Sequence, residues 1–258
     1  MRIQASAGRV YVDDVGIGDC PVVFVHSLAG DTSQWAHQLE HVRARGCGIA
    51  YDLRGHGRSD PPTDGDYSLE ASADDLEAVL DAVGVDRVIL VAHSLGGAIA
   101  AVFAAAHPER VEGLLLVDSV GNQRLAPDEM QQFLIALDSP HFDQVIHDYW
   151  TQIAGNDPVI REQLMRSLDR TPKAAVVGML WALQRTNLSE AITSYPRPKL
   201  AVVTPYNDFP FALHKVDPTM RAIVIDGTGH WLHMEKPEEF NAILDEFIAS
   251  VAARSSRV

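Results

Sequence analysis

Ser94 stands at a sharp turn between a predicted strand and a predicted helix. Apolar residues 88–91 predict a buried strand, and an alanine-rich stretch within residues 95–107 predicts a helix. Between them lies Ala92-His-Ser-Leu-Gly96, a small-x-Ser-x-Gly pattern that in this context is typical of a serine nucleophile. A helix that begins just after the serine directs its N–H groups and positive dipole end toward a developing oxyanion. The alternative is a serine that only caps the helix, but the context favours attack on a carbonyl.

A serine nucleophile needs a base that accepts its proton. His230 is the candidate, because Gly227-Thr-Gly-His230 follows the last predicted strand and so lies on a loop at the strand's C-terminal end. His233 is nearby, but its neighbours Leu232 and Met234 are typical of packing.

The base in turn needs a carboxylate that orients it, and in this class of sheet the order along the chain is Ser, then Asp or Glu, then His. Asp208 follows the predicted strand 200–203, and Asp118 ends the predicted strand 114–117. Both belong to the C-terminal edge of the sheet, where sites of α/β proteins collect. The order of residues leaves both open.

An oxyanion hole needs two backbone N–H donors. Leu95, the residue after the nucleophile, is expected to supply one. The second should come from the loop after strand 21–25, where we choose the Leu28 N–H. Ser27 is the alternative, because its hydroxyl is also a donor.

Strand and helix patterns alternate along most of the chain. Strands are predicted over residues 9–15, 21–25, 48–52, 88–91, 114–117, 200–203 and 222–225, and helices over 33–45, 69–83, 95–107 and 238–251. Alternating units with continuously apolar strands predict an α/β fold with a mostly parallel central sheet flanked by helices.

The segment 122–195 breaks this alternation, since its apolar residues recur only at helical spacing. Within it, Asp157-Pro158 and Thr171-Pro172 each place a capping residue before a proline. We therefore predict a helical cap over residues 122–195, inserted into a core domain formed by residues 1–121 and 196–258.

The composition and charge of the chain disfavour several classes of partner. The chain has 258 residues, 47% of them apolar, and a formal net charge of −14, which disfavours nucleic acid and anionic membrane surfaces as partners. The first residues lack an apolar signal core, and no window reaches the ~18 apolar residues of a membrane-spanning helix. We expect a soluble cytoplasmic protein, either a monomer or a homodimer.

A metal or redox centre is not expected from the sequence. Cys20 and Cys47 are the only cysteines and fit reduced buried thiols, with a single disulfide as the alternative. Asp143 and His147 share a helix face, with His141 nearby, but no fourth ligand or zinc-type motif accompanies them. A solvated polar face is the favoured interpretation, and we expect no cofactor.

Four motifs occur in an order that resembles the α/β-hydrolase superfamily over nearly the whole chain. They are His26-Ser-Leu-Ala-Gly30, Asp52-Leu-Arg-Gly-His-Gly-Arg-Ser59, Ala92-His-Ser-Leu-Gly-Gly97, and Gly229-His230 followed by Glu235-Lys-Pro-Glu-Glu-Phe240. The resemblance implies that Asp208, on the loop after the penultimate strand, is the acid in preference to Asp118. It also implies that the helical insertion roofs the active site.

Three positions depart from the family pattern. Ala92 replaces the usual first glycine of the turn, and Thr204-Pro205 replaces a glycine-containing turn before Asp208. Ser27 replaces the usual glycine after His26; if that position requires a positive φ, serine costs about 1 kcal/mol or more and shifts the loop.

The resemblance and the candidate triad imply a cofactor-independent serine esterase or lactonase acting on a small-molecule substrate. Ser94 would attack the carbonyl, His230 would shuttle the proton, and Asp208 would hold the imidazole. Leu28 and Leu95 N–H groups would stabilise the oxyanion, and water would release the acyl-enzyme. The same scaffold also resembles carbon–carbon bond hydrolases, perhydrolases and slowly hydrolysing small-molecule receptors, and fold does not fix reaction.

Overall fold

A computed structural model describes residues 1–6, 8–15 and 21–255, with the side chains of Val15, Glu129, Met130 and Ser255 left aside. Cys20, considered above as a thiol or disulfide partner, lies outside the described residues. In the described part of the chain the strands are β1 (Arg2–Gln4), β2 (Arg9–Val15), β3 (Val22–Val25), β4 (Gly48–Tyr51), β5 (Val88–His93), β6 (Val111–Val117), β7 (Lys199–Val203) and β8 (Arg221–Val224).

The helices alternate with these strands. They are α1 (Ala36–Arg43), α2 (Leu69–Val83), α3 (Leu95–Ala106), α4 (Asp128–Leu137), α5 (Phe142–Ile153), α6 (Pro158–Arg170), α7 (Lys173–Arg185), α8 (Leu188–Ser194), α9 (Leu213–Val216), α10 (Leu232–Glu235) and α11 (Pro237–Ser255). The short β1, α8, α9 and α10 were not predicted, because each is too brief to give a periodic pattern.

The described strands form one sheet in the order β1-β2-β4-β3-β5-β6-β7-β8. β1 and β2 run antiparallel to their neighbours, and the strands from β4 to β8 pair in parallel. This confirms the predicted α/β fold with a mostly parallel sheet. Since the parallel strands all end at one edge, residues that directly follow β3, β5 and β6 are brought together there.

Both faces of the sheet are buried, which explains the continuously apolar strands. Val23 and Val25 of β3 pack into the core on one face, while Val22 and Phe24 pack with Trp35 on the other. Successive side chains of a strand point to opposite faces, so apolar residues at every position require helices on both sides. α3 lies within one of these layers, packed against α2 and α8.

Helices α4 to α8 all lie between β6 and β7, in the segment predicted as a cap. Asp157 caps α6 as predicted, accepting the N–H groups of Val159 and Ile160 at 2.8 and 3.1 Å. The prediction for Thr171 is wrong: its hydroxyl donates to the Ser167 carbonyl of α6 instead of capping α7.

The last helix of this segment, α8, packs against the core helix α3. The Tyr195 hydroxyl, just beyond α8, donates to the Val111 carbonyl of β6 at 2.9 Å. These contacts attach α8 to the core and favour a cap that ends before Leu188. The division into a core (1–121 and 196–258) and a cap (122–195) is a proposal.

No helix in the described part of the chain is long and apolar enough to span a membrane. The same residues contain no cluster of three or more His, Cys, Asp or Glu side chains that would hold a metal ion. His147, weighed above as a ligand, pairs with Asp169 at 2.9 Å.

Candidate active site

Ser94 connects the end of β5 to the beginning of α3 with a strained backbone. Its φ and ψ are 52° and −116°, a conformation that non-glycine residues rarely adopt and that is typical of functional turns. Ser94 is only 8% exposed, and it lines a cavity. Leu95, as the first helical residue, has an N–H without an intrahelical acceptor. This is the strand–turn–helix context that the sequence predicted.

Gly96 lets the turn pack closely against the loop after β3. A Cβ at this position would overlap the backbone oxygens of His26 and Val25. These are carbonyl groups of a buried strand end, which cannot move aside as a flexible side chain would. The glycine therefore fixes how near the serine turn lies to the predicted oxyanion loop.

His230 lies at the C-terminal edge of the sheet and is hydrogen-bonded to Asp118. Its Nδ1 atom is 2.6 Å from Oδ2 of Asp118. Since an ionised carboxylate only accepts hydrogen bonds, Nδ1 carries the proton and Nε2 is left as the acceptor. His230 and Ser94 line the same cavity, so the structure brings the predicted nucleophile and base to one site.

Asp118 is held as a carboxylate at the end of β6. It is 3% exposed and accepts the Thr204 N–H at 2.8 Å and the Thr204 hydroxyl at 3.0 Å. Burial raises the pKa of this carboxyl, but the hydrogen bond and charge of His230, together with Thr204, outweigh burial and hold the pKa below its usual value of 3.8.

The expectation that Asp208 contacts the imidazole is corrected by the geometry. The side chain of Asp208 is 72% exposed and pairs with Lys215 at 2.6 Å. After β7 the chain turns through a short 3-10 helix, Pro205–Asn207, which directs Asn207 inward and Asp208 outward. The amide of Asn207 donates to the Ser119 carbonyl at 2.9 Å, so this loop supports the Asp118 turn instead of supplying the acid.

Strand register explains why the alternative acid, Asp118, takes this place. β5 and β6 are neighbours, and His93 pairs with Val117. The residues that follow are Ser94 and Asp118, and the Ser94 N–H donates to the Val117 carbonyl at 2.9 Å. The sequence shows that Asp118 directly follows a strand, but that this strand is the neighbour of β5 is seen only in the structure.

Two further histidines, His93 and His233, pack near His230, and the sequence assigned neither of them a catalytic role. The Nε2 atom of His93 lies 2.9 Å from the His230 carbonyl oxygen, to which it donates. Burial lowers the pKa of His93 well below its usual value, so this ring is neutral. His233 stacks on Trp35 at 4.2 Å, and burial lowers its pKa to about 3, in agreement with its interpretation as a packing residue.

The predicted oxyanion loop is held by His26. The ring accepts the Leu53 N–H at Nε2, at 2.9 Å, so its Nδ1 carries the proton and donates to the Ser27 carbonyl at 2.7 Å. The Gly30 N–H donates to the same oxygen at 3.1 Å. The peptide is trans, so the Leu28 N–H points away from His26. Leu28 lines the cavity with Ser94.

Ser27, the alternative oxyanion donor, has its hydroxyl within 3.2 Å of the Gln34 side-chain oxygen. The cost anticipated for serine at this position does not arise, because the positive φ of the loop falls at Ala29, with a value of 53°. Alanine tolerates this region poorly, so the backbone strain of the loop is located two residues later than expected.

Ser94 and His230 lie where two cavities meet. The first, which we call the cap cavity, has a volume of about 80 Å³. Its apolar lining comes from cap helices α4, α5 and α7 and from the core, and includes Leu28, Val120, Phe133, Leu134, Ile146, Trp150, Ile153, Leu180, Leu183 and Trp231. The aromatic part of this lining includes Trp150, Trp231 and Phe133, while Trp35 is in the core.

The second cavity, which we call the open groove, is larger and has a mixed lining. Its polar side chains include Asn156, Asn207 and Thr228, and its aromatic ones include Phe209 and Phe211. Ser94, Gln123 and His230 line both cavities. The serine and histidine therefore lie between an apolar space under the cap and a larger space that has both polar and apolar side chains.

Comparison with known proteins identifies the family. A sequence model of the alpha/beta hydrolase fold matches residues 21–177. The sn-1-specific diacylglycerol lipase ABHD11 of Mus musculus is 26% identical over 250 residues, covering 88% of this chain and 80% of that protein.

Solved structures give the same result. Est816, described as an N-acyl homoserine lactone degrading enzyme, is 27% identical, with a TM-score of 0.83 over 96% of this chain and 100% of that one. A thermophilic esterase from Thermogutta terrifontis is 23% identical, with a TM-score of 0.82 over 97% of this chain and 98% of that one, and supports the fold alone. The chain belongs to the α/β-hydrolase family, and these similarities support a hydrolase.

Proposed function

We propose that this protein hydrolyses carboxylic esters or lactones, with Ser94 as nucleophile, His230 as general base and acid, and Asp118 as the residue that orients the imidazole. The observation that carries the proposal is the 2.6 Å hydrogen bond between His230 Nδ1 and Asp118. It leaves Nε2 as a proton acceptor in the cavity that contains Ser94.

The reaction follows from these roles. His230 Nε2 accepts the Ser94 hydroxyl proton while Oγ bonds to the substrate carbonyl carbon and the carbonyl π electrons move to oxygen. Collapse of the tetrahedral intermediate expels the alcohol, which takes the proton from His230, and leaves an acyl-enzyme. Water then attacks the acyl group with His230 again as base, and Ser94 recovers its proton as the acid leaves.

The Leu28 and Leu95 N–H groups are proposed to bind the oxyanion. Both residues line the cap cavity beside Ser94, and the hydrogen bonds of His26 and Gly30 to the Ser27 carbonyl fix the Leu28 peptide before substrate arrives. Donors that are already oriented need no reorganisation as charge develops, and removing one such donor costs about 10²–10³ in kcat.

The cap cavity is proposed to hold the acyl group and the open groove the alcohol. An apolar acyl chain gains binding free energy when it moves from water into a cavity lined by leucine, isoleucine and tryptophan side chains. A carboxylate on the acyl chain would lose its hydration among these side chains, so we infer that the acyl group is uncharged. The groove is assigned the alcohol because it has asparagine and threonine side chains, which the cap cavity lacks, beside its aromatic ones.

Lactones are included because a ring ester presents the same carbonyl to Ser94. Est816 is described as an N-acyl homoserine lactone degrading enzyme, and the mouse relative is a diacylglycerol lipase by name. These names support ester and lactone bonds as the class and do not choose between them.

The test is steady-state hydrolysis of p-nitrophenyl esters from C2 to C12 and of several N-acyl and simple lactones. Ser94→Ala should lose turnover by about 10³-fold or more. Ser250→Ala is the matched control, because Ser250 lies on α11 and its hydroxyl donates to the Phe247 carbonyl.

Two outcomes would oppose the proposal. Ester or lactone hydrolysis that survives Ser94→Ala would remove Ser94 as nucleophile. Absence of turnover on every substrate would favour carbon–carbon bond hydrolysis, perhydrolysis or a receptor. A receptor would stop after about one cycle and show ligand-dependent shifts in Tm.

A further inference from the structure

Glu235 ends α10 and is half-buried next to the loop that carries His230. Its Oε1 atom accepts the Gly229 N–H at 2.7 Å. Gly229 immediately precedes His230, so this carboxylate holds the peptide that leads into the proposed base. The mechanism above does not use Glu235, although it belongs to one of the motifs noted in the sequence.

The same carboxylate also contacts the end of cap helix α5. Gly155 packs so closely against it that a Cβ there would overlap the Glu235 Oε1 atom. The backbone N–H of Asn156 also acts to lower the pKa of this carboxyl. The Gly155 carbonyl, on the other side, accepts a hydrogen bond from Arg161 of α6. Glu235 therefore lies between the His230 loop and the α5–α6 turn of the cap.

The two backbones that Glu235 joins also touch each other directly. The His230 N–H donates to the Ile153 carbonyl at 2.9 Å. A Cβ on Gly229 would overlap the backbone N and Cα of Gly155, so the loop approaches the cap as closely as two glycines allow. The position of His230 and the position of the end of α5 are thus fixed by one set of contacts.

We propose that Glu235 is a positioning residue that fastens the His230 loop to the α5–α6 turn, so that the imidazole is correctly placed only while this part of the cap is seated. This inference rests on the proposed role of His230 as base. Glu235 acts through the Gly229 peptide and touches no reacting atom.

The energetics agree with a positioning role. Burial raises the pKa of Glu235, the Gly229 N–H opposes that effect, and the charge of Asp157 adds to it. Burial thus disfavours the charged form of Glu235, and the carboxylate is compensated in part by its hydrogen bond from the Gly229 N–H.

Amide hydrogen exchange tests the coupling without substrate. Glu235→Ala should raise exchange at the Gly229 N–H, which loses its acceptor. It should also raise exchange about tenfold or more at the His230 N–H, whose own acceptor, Ile153, is unchanged. Glu235→Gln keeps a side-chain oxygen and should restore most of the protection. Glu238→Ala, an exposed carboxylate on the next helix, is the matched control and should change neither amide.

Kinetics give the second readout. A base displaced by a fraction of an ångström loses rate more than binding, so Glu235→Ala should lower kcat about 10- to 100-fold with KM changed less than about threefold. Glu235→Gln should stay within about threefold of the parent.

The results separate the alternatives. Unchanged exchange at His230 in Glu235→Ala would overturn the inference, whatever the protein hydrolyses. Exchange that rises equally at β5 amides, with Gln as damaging as Ala, would also overturn it, because Glu235 would then serve only global stability. Failure of the proposed function would appear instead as activity that survives Ser94→Ala.

Discussion

The Nδ1 atom of His230 lies 2.6 Å from Oδ2 of Asp118, although 112 residues separate the two in sequence. Asp118 comes directly after β6, the strand next to the one that ends at His93 and Ser94. The parallel register therefore brings the nucleophile and the carboxylate to the same sheet edge, and the loop after β8 adds the imidazole.

The two candidate acids give a direct comparison. Asp118→Asn should lower kcat by about 10³–10⁴-fold, because an amide in place of the carboxylate no longer holds the Nδ1–H tautomer. Asp208→Asn should remain within about twofold, since its exposed side chain only pairs with Lys215. Steady-state ester hydrolysis by both variants checks this, and the reverse ranking would restore Asp208 as the acid.

The pH dependence of activity follows from the base. A histidine must be neutral to accept the serine proton. The pKa of Asp118 lies below its usual value of 3.8, so Asp118 is already ionised at neutral pH. We expect kcat/KM to fall when acid protonates the base and to recover when the pH is raised again. A kcat/KM that does not change with pH in the range where the protein stays folded, with chemistry limiting, would argue against His230 as base.

Stability should respond to acid through Asp118. Because its pKa is lower in the folded state than the ordinary value of 3.8, the ionised carboxylate contributes stability that is fully present above that value. The contribution is lost as the pH falls through the folded-state pKa. The difference in the free energy of unfolding between the parent and Asp118→Asn should therefore shrink between about pH 5 and pH 2. Urea denaturation at several pH values measures it, and a constant difference would contradict the cause given for the shift.

Gly96 should tolerate no side chain. Gly96→Ala forces a Cβ against the backbone oxygens of His26 and Val25, so we expect about 1–3 kcal/mol of destabilisation together with lost activity. Gly46→Ala is the control, because no atom lies within 4 Å of a Cβ built there. Denaturation and ester assays on both variants check the prediction. Equal stability of the two would mean that the turn is less tightly packed than described.

A negative charge on the acyl group of the substrate should lower kcat/KM. The cap cavity is lined mainly by apolar side chains, so p-nitrophenyl butyrate should exceed the hemisuccinate ester in kcat/KM by about 100-fold or more. The two acyl groups have similar length, and the leaving group is the same, so the comparison isolates the carboxylate. Equal rates would show that the acyl group does not bind in this cavity.

Much of this architecture could be predicted from the sequence because its signals are local. Ser94 lies between an apolar strand and an alanine-rich helix, and His230 follows glycines after the last strand. The neighbouring residues therefore suffice to identify each of them as a candidate. The continuously apolar strands likewise required a sheet covered on both faces.

The acid could not be chosen from local signals. Asp118 and Asp208 both follow strands, and the difference between them is a non-local one: which strand neighbours β5, and which way a 3-10 turn directs the chain. Helix α8 escaped prediction because seven residues hold too few apolar positions for a period, and its packing partner, α3, is distant in sequence.

Trapping the acyl-enzyme tests the central claim most directly. After millisecond mixing with a p-nitrophenyl ester and an acid quench, mass spectrometry of the digested protein should find the acyl group on the peptide that contains Ser94. Ser94→Ala should show no such adduct and no burst of p-nitrophenol. Acylation elsewhere, or full turnover by Ser94→Ala, would contradict the account.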